Sequence, residues 1–141
     1  MRRTGTGTGS RRRQGRERAL SLLYEAECRG VAVGEVLAEL PVAPDRFVCG
    51  LVTGVEEHRD ELDALLRKHS EGWALERMPA LDRAALRMGT FELLHVPDVP
   101  TAVVISEAVD LAKRYSTEES GRFVNGMLSA IANQARTPSA Q

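Results

Sequence analysis

The segment Thr101-Ala102-Val103-Val104-Ile105-Ser106-Glu107-Ala108-Val109-Asp110-Leu111-Ala112-Lys113-Arg114-Tyr115 decides the fold class. Its apolar run Val103-Val104-Ile105, taken alone, has the β-branched character of a strand. Read further, Val104, Ala108, Leu111, Ala112 and Tyr115 recur at i, i+4, i+7, i+8 and i+11, the spacing of one helical face, and the longer pattern overrules the shorter. Thr101 is placed to cap this helix, after Pro97 and Pro100 have ended the one before it.

The helical period continues on both sides. Downstream, Ser116 followed by Glu119 reads as a capping box, and Phe123, Val124, Met127, Leu128 and Ile131 mark a last helix before a flexible tail, residues 136–141. Upstream, a strong helix runs from Leu81 to about His95 with Ala84, Ala85, Met88 and Phe91 inward, and Trp73 and Leu75 belong to a bridge reaching Pro79. Asp45 is a cap for a stripe of Phe47, Val48, Leu51, Val52 and Val55, and Leu62, Leu65 and Leu66 repeat the habit. Val33 to Leu40 is a short helix stopped by Pro41 and Pro44. A first helix from Arg11 to about Cys28 turns Ala19, Leu22, Leu23 and Ala26 to one side and closes at Arg29-Gly30. No sustained period-two pattern occurs, so the expected fold is all-α, about seven helices in two small bundles. The expected layout is a disordered leader, residues 1–10, and one helical domain, residues 11–135, with subdomains of about 11–78 and 79–135.

With 141 residues, 43% hydrophobic and only 4% aromatic, the chain suits one domain whose core is Leu, Val and Ala on closely packed helices. It holds no apolar run of membrane-spanning length, and its Met1-Arg2-Arg3 start followed by Thr and Gly does not read as an export signal, so no membrane association and cytoplasmic residence are expected. Cys28 and Cys49 are expected as two buried thiols rather than a disulfide or metal pair.

Catalysis finds no support in the sequence. His58, His69 and His95 are scattered near helix ends without companion ligands at metal-binding spacing, and Glu56, Glu57, Asp60, Glu61 and Asp63 read as a solvated acidic face. The expectation is no enzyme, no metal and no cofactor.

Charge is more informative. Seven arginines and one acid among the first eighteen residues give this stretch +6, whereas the remaining chain, with twelve basic and nineteen acidic residues, carries −7. On a helix, Arg12 and Arg16 lie one turn apart with Arg13 about 100° round, so three guanidinium groups share a side. Positive charge opposes the macrodipole at a helix start, a local cost of about 0.3–1 kcal/mol per residue that folding does not recover. Phosphates would supply the missing anions through bidentate arginine forks. The alternative is a solvated basic tail.

Four blocks in order carry a resemblance. They are Arg11-Arg12-Arg13 with Arg16, Ala19-Leu20 and Leu23-Tyr24-Glu25; Leu81-Asp82-Arg83-Ala84-Ala85-Leu86-Arg87 with Phe91-Glu92-Leu93; Val104 to Lys113; and Gly121-Arg122-Phe123-Val124-Asn125-Gly126. Together they closely resemble the NusB transcription antitermination family over about Arg11 to Ala132. The resemblance implies a non-catalytic, two-bundle helical protein that binds boxA of ribosomal RNA leader transcripts as a heterodimer with NusE, a ribosomal protein, within the RNA polymerase antitermination complex. It further implies RNA contacts from Arg11, Arg12, Arg13, Arg16, Arg122 and Phe123, and NusE contacts from Tyr24 and Asp82. Against these stand structural readings: Phe123 as core, Tyr24 sealing the core with its hydroxyl outward, and Asp82 serving a first helical turn. The rival function is a homodimeric protein-interaction module without specific RNA binding. The chain departs from the family at Gly15, where Ala is usual, and at Ser106, where Asn is usual.

Overall fold

A computed structural model describes residues 8–70 and 72–136. Seven α-helices and no strand occur among the described residues: α1 (Thr8–Arg29), α2 (Val33–Glu39), α3 (Arg46–Glu57), α4 (Arg59–His69), α5 (Ala80–His95), α6 (Thr101–Tyr115) and α7 (Glu118–Ala135), with a 3₁₀ turn at Leu75–Arg77 before α5. The Val103-Val104-Ile105 run is helical throughout, as its continuation requires. Helix α1 starts at Thr8, so the last three residues of the expected leader form its first turn; residues 1–7 of that leader lie outside the described residues.

Local chemistry sets most boundaries. The Asp45 side chain accepts a hydrogen bond from Val48 N at 3.0 Å and caps α3 as its position predicts. Gly30, at φ 69°, closes α1: its N–H donates to Glu27 O at 3.2 Å and the Val31 N–H to Ala26 O at 3.0 Å, a left-handed turn that glycine takes without steric cost. Two expected caps move. The residue capping α7 is Thr117, which accepts from Ser120 N at 2.9 Å, because Ser116 is still tied to α6 through its N–H to Ala112 O. Thr101 is the first residue of α6 rather than its cap; Pro100 takes the cap position and has no side-chain donor or acceptor to offer.

Two apolar clusters form the interior. One gathers Ala19, Leu22 and Ala26 of α1, Val33 and Val36 of α2, and Val48, Leu51, Val52 and Val55 of α3. The other gathers Leu93, Val104, Ala108, Val124, Leu128 and Ile131 from α5, α6 and α7. Helix α5 serves both, with Ala84, Ala85 and Met88 in the first and Leu86 and Leu93 in the second, which is why every residue from Ala84 to Thr90 is buried. Polar links tie the helices across this centre. Arg87 grips Asp63 of α4 with two hydrogen bonds of 2.8 and 3.0 Å, and Glu27 of α1 pairs with Arg83 and Arg87. Asp63 therefore leaves the expected solvated acidic face.

Arg136, expected to begin a frayed tail, is anchored. Its guanidinium donates to the carbonyls of Glu92, Leu93, Val96 and Val99 at 3.0, 2.9, 2.9 and 2.6 Å, tying the end of α7 to the last turn of α5 and the loop that follows it. Residues 137–141 of the expected tail lie outside the described residues. The thiols also differ from expectation. Cys28 is exposed, lying two residues and hence about 200° round α1 from buried Ala26, and Cys49 is half-buried. Tyr115, assigned to the α6 stripe, is 43% exposed and donates its hydroxyl to Glu17 of α1.

Candidate nucleic-acid interface

The arginines of α1 do not share one free side. They fan onto three different helices, because the start of α1 runs across α3, α5 and α6. Arg11 is exposed, with no carboxylate partner among the described residues. Arg12 lies over the Phe47 ring of α3, 5.2 Å from its centroid, a cation–π arrangement. Arg13 reaches α6 and pairs with Glu107 at 2.9 Å while its side chain stays 62% exposed. The Glu107 carboxylate holds the Arg13 guanidinium proton more firmly than usual.

Arg16 turns inward. Its Nε sits 3.1 Å from both carboxylate oxygens of Glu92 on α5, and the two side chains are 5% and 3% exposed. Burial pushes the Glu92 carboxyl above its ordinary range, with Arg16 opposing that shift. Arg16, expected as an RNA contact, thus forms a buried ion pair that seats α1 on α5, and its Nη2 is buried without a partner. Gly15 has a packing reason in the same place: a Cβ there would stand 2.6 Å from Cδ2 of Phe47, the ring over which Arg12 and Arg16 both lie.

Two open grooves meet at Arg122 of α7, which is exposed and has no carboxylate partner among the described residues. On one side, a groove of about 630 Å³ is lined by Trp73, Met78, Pro79, Asp82, Arg122 and Phe123, among others. Phe123 is only partly buried; its ring centroid lies 6.2 Å from that of Trp73 at 52°. On the other side, a groove of about 470 Å³ between α6 and α7 includes Ser106, Lys113, Arg122 and Asn125. Ser106 adjoins Glu107, the residue that receives Arg13, so the arginine-bearing end of α1 reaches the helix that walls this second groove.

The two residues expected to face a protein partner are separated. Tyr24 is 39% exposed on a third groove with Glu17, Arg18, Leu81 and Tyr115. Asp82 is 4% exposed; one carboxylate oxygen accepts from Ser120 Oγ at 2.8 Å and the other is buried without a partner. Its place in the first turn of α5 also suits a negative charge.

A family model described as the NusB family matches residues 13–133. The chain belongs to the NusB family. The NusB transcription antitermination protein of Kineococcus radiotolerans is 46% identical over 133 residues, covering 92% of this chain and 98% of that protein. A NusB structure from T. maritima has TM-score 0.79 at 35% identity, covering 87% of this chain and 91% of that chain. A crystal structure of antitermination factors NusB and NusE in complex with dsRNA has TM-score 0.76 at 32% identity, covering 87% of this chain and 96% of that one.

Trp73, which no motif in the sequence singles out, lines the first groove. It is 57% exposed beside Phe123, yet lies outside any helical stripe, between Gly72 and Ala74 in the link to α5. The available signal was its being the only tryptophan, set in a link where nothing required it for a core. Two of the three histidines expected to be scattered meet, His58 and His95 having ring centroids 4.1 Å apart, while His69 stands apart and bonds Gln134.

Proposed function

We propose that this protein is a non-catalytic, cytoplasmic RNA-binding adaptor of transcription antitermination, which binds boxA of ribosomal RNA leader transcripts together with NusE and joins the RNA polymerase antitermination complex. Membership of a family whose curated relatives are transcription antitermination proteins supports the reading, as does the likeness to NusB bound with NusE and dsRNA. No helix among the described residues is long and apolar enough to cross a membrane.

The observation that carries the RNA assignment is Arg122, a guanidinium without a carboxylate partner among the described residues, on the rim shared by two grooves, one with the aromatic pair Trp73 and Phe123 and the other with Ser106, Lys113 and Asn125. Single-stranded RNA needs both kinds of surface: aromatic faces for unstacked bases, and cations with amide and hydroxyl groups for phosphates, sugars and base edges. Arg122 and Phe123 supply the first contact, Trp73 widens it, and Arg11, Arg12 and Arg13 hold the backbone along the start of α1, with Arg12 on the α3 side and Arg13 on the α6 side. Arg16 acts from beneath by fixing α1 against α5. Tyr24 presents the NusE-facing groove, and Asp82 supports the turn into α7 through Ser120. The expected subdomains of about 11–78 and 79–135 follow the two apolar clusters only in part, since Leu66, Leu75 and Met78 pack in the second cluster, Leu111 packs in the first, and α5 serves both.

The arm is tested by RNA affinity as a function of salt. Arg11→Ala and Arg12→Ala each lower the slope of log affinity against log salt by roughly 0.7–1 while leaving the preference for boxA over a scrambled RNA unchanged. Unaltered slopes in both variants would remove the arm from the interface.

A further inference from the structure

We propose that His58, Glu61 and His95 form a binding site for one borderline divalent transition-metal ion, with Zn²⁺ the ion that the donor set fits best. His58 is the single residue between α3 and α4, Glu61 lies in the first turn of α4, and His95 ends α5. One potential ligand atom from each residue comes within 4.8 Å of the others. The fold thus gathers two imidazoles and a carboxylate from two separate parts of the chain.

Hydrogen bonding around the cluster leaves one ring nitrogen of His58 available as a ligand. His58 Nδ1 lies 2.9 Å from Gly54 O, and a carbonyl only accepts, so Nδ1 carries the hydrogen and the neutral ring presents the lone pair of Nε2. Histidines that bind metals are commonly held by such a bond on their other nitrogen, which fixes ring and tautomer together. His95 Nε2 donates to Glu61 Oε1 at 2.9 Å, and a shared metal ion takes the place of that hydrogen as the neutral ring shifts to its Nδ1–H tautomer. The rings are braced from below: Phe91 has its centroid 5.6 Å from that of His58 and 5.3 Å from that of His95, and it is itself seated against Gly54.

The donor chemistry selects the ion. Two imidazole nitrogens with one carboxylate suit Zn²⁺, Co²⁺, Ni²⁺ or Cu²⁺, whereas Mg²⁺ and Ca²⁺ require predominantly oxygen ligands. Metal–ligand distances of about 2.0–2.1 Å in a tetrahedron place donors roughly 3.3 Å apart, so the cluster closes by an ångström or so on binding. Glu61, 49% exposed, has the freedom to make that movement, and His95, 32% exposed, leaves the outer side open for water as a fourth ligand. A bound ion ties the α3–α4 junction to the end of α5.

The test uses full-length, untagged, metal-stripped protein titrated with Zn²⁺ by calorimetry and with Co²⁺ by visible absorption. The expected result is saturable binding of one equivalent, a rise in Tm on adding Zn²⁺, and affinity at least about tenfold weaker in His95→Ala and in Glu61→Gln. Both positions are exposed, and thermal melts without metal confirm that the variants fold. Cys28→Ser, which removes the exposed thiol of α1, leaves binding unchanged. Absence of one-equivalent binding, or equal affinity in both site variants, overturns the site and leaves an ordinary hydrogen-bonded His95–Glu61 pair beside a stacked His58.

Discussion

Removing the Arg16 side chain separates a structural role from an RNA contact. In Arg16→Ala, Glu92 is left 2% exposed with its charge uncompensated. At 3.1 Å and an effective dielectric constant near 20, the lost attraction is about 5 kcal/mol, in line with the roughly 3–5 kcal/mol typical when one member of a buried pair is deleted. A domain of this size has about 5–15 kcal/mol of total stability, so the variant sits near the edge of folding, and its urea midpoint falls by roughly 2 M at ordinary m-values. The double variant Arg16→Met with Glu92→Leu removes both charges and keeps an apolar contact, and it recovers most of that loss. Urea melts of the original chain, Arg16→Met, Glu92→Leu and the double variant form the cycle, and RNA anisotropy on each variant that folds supplies the second readout. The double variant is expected to bind RNA nearly as well as the original chain. Full stability in Arg16→Ala with loss of RNA affinity alone would refute the reasoning and return Arg16 to the interface.

The aromatic groove behaves differently. Phe123→Ala and Trp73→Ala each reduce RNA affinity by about 1–3 kcal/mol, with Trp73→Ala leaving Tm nearly unchanged because the ring is 57% exposed. Gly15→Ala gains about 1 kcal/mol of helix propensity but presses on Phe47, at a cost of about 1–3 kcal/mol; calorimetric melts should therefore show no stabilisation. Glu92 sets a pH signature. Its carboxyl is raised in the folded state, so the fold binds the extra proton and the stability this confers is present at low pH and lost as pH rises through the folded value. Relative to Glu92→Gln, the original chain should lose stability as pH rises above 4.5, and the opposite slope would mean that attraction to Arg16 outweighs burial.

Short-range features were legible in the sequence and long-range partners were not. The helical reading of Val103-Val104-Ile105 needed only the apolar period that follows it, and the Asp45 cap and the Gly30 closure are chemistry within a few residues. The Thr117 cap was missed by one position because Ser116 and Thr117 offer the same hydroxyl acceptor, and only the backbone of α6 decides between them. Arg16 and Glu92 are 76 residues apart, Asp82 and Ser120 38, and His95 and Glu61 34; no periodicity announces that such groups meet. The sequence marks the arginine cluster by its charge, but not that Arg16 pairs with a buried acid while Arg11 and Arg13 remain at the surface. Phe123 was balanced between core and contact, and its position, partly buried against the second cluster yet lining an open groove, explains why the stripe alone did not decide.

The measurement that bears most directly on the central claim is fluorescence anisotropy with a short boxA RNA and a scrambled control, with and without NusE, at two salt concentrations. The account predicts tighter binding to boxA, further tightened by NusE, with both RNAs losing affinity as salt rises. Equal binding to the two RNAs, indifferent to NusE, would contradict it and leave a basic arm on a helical interaction module.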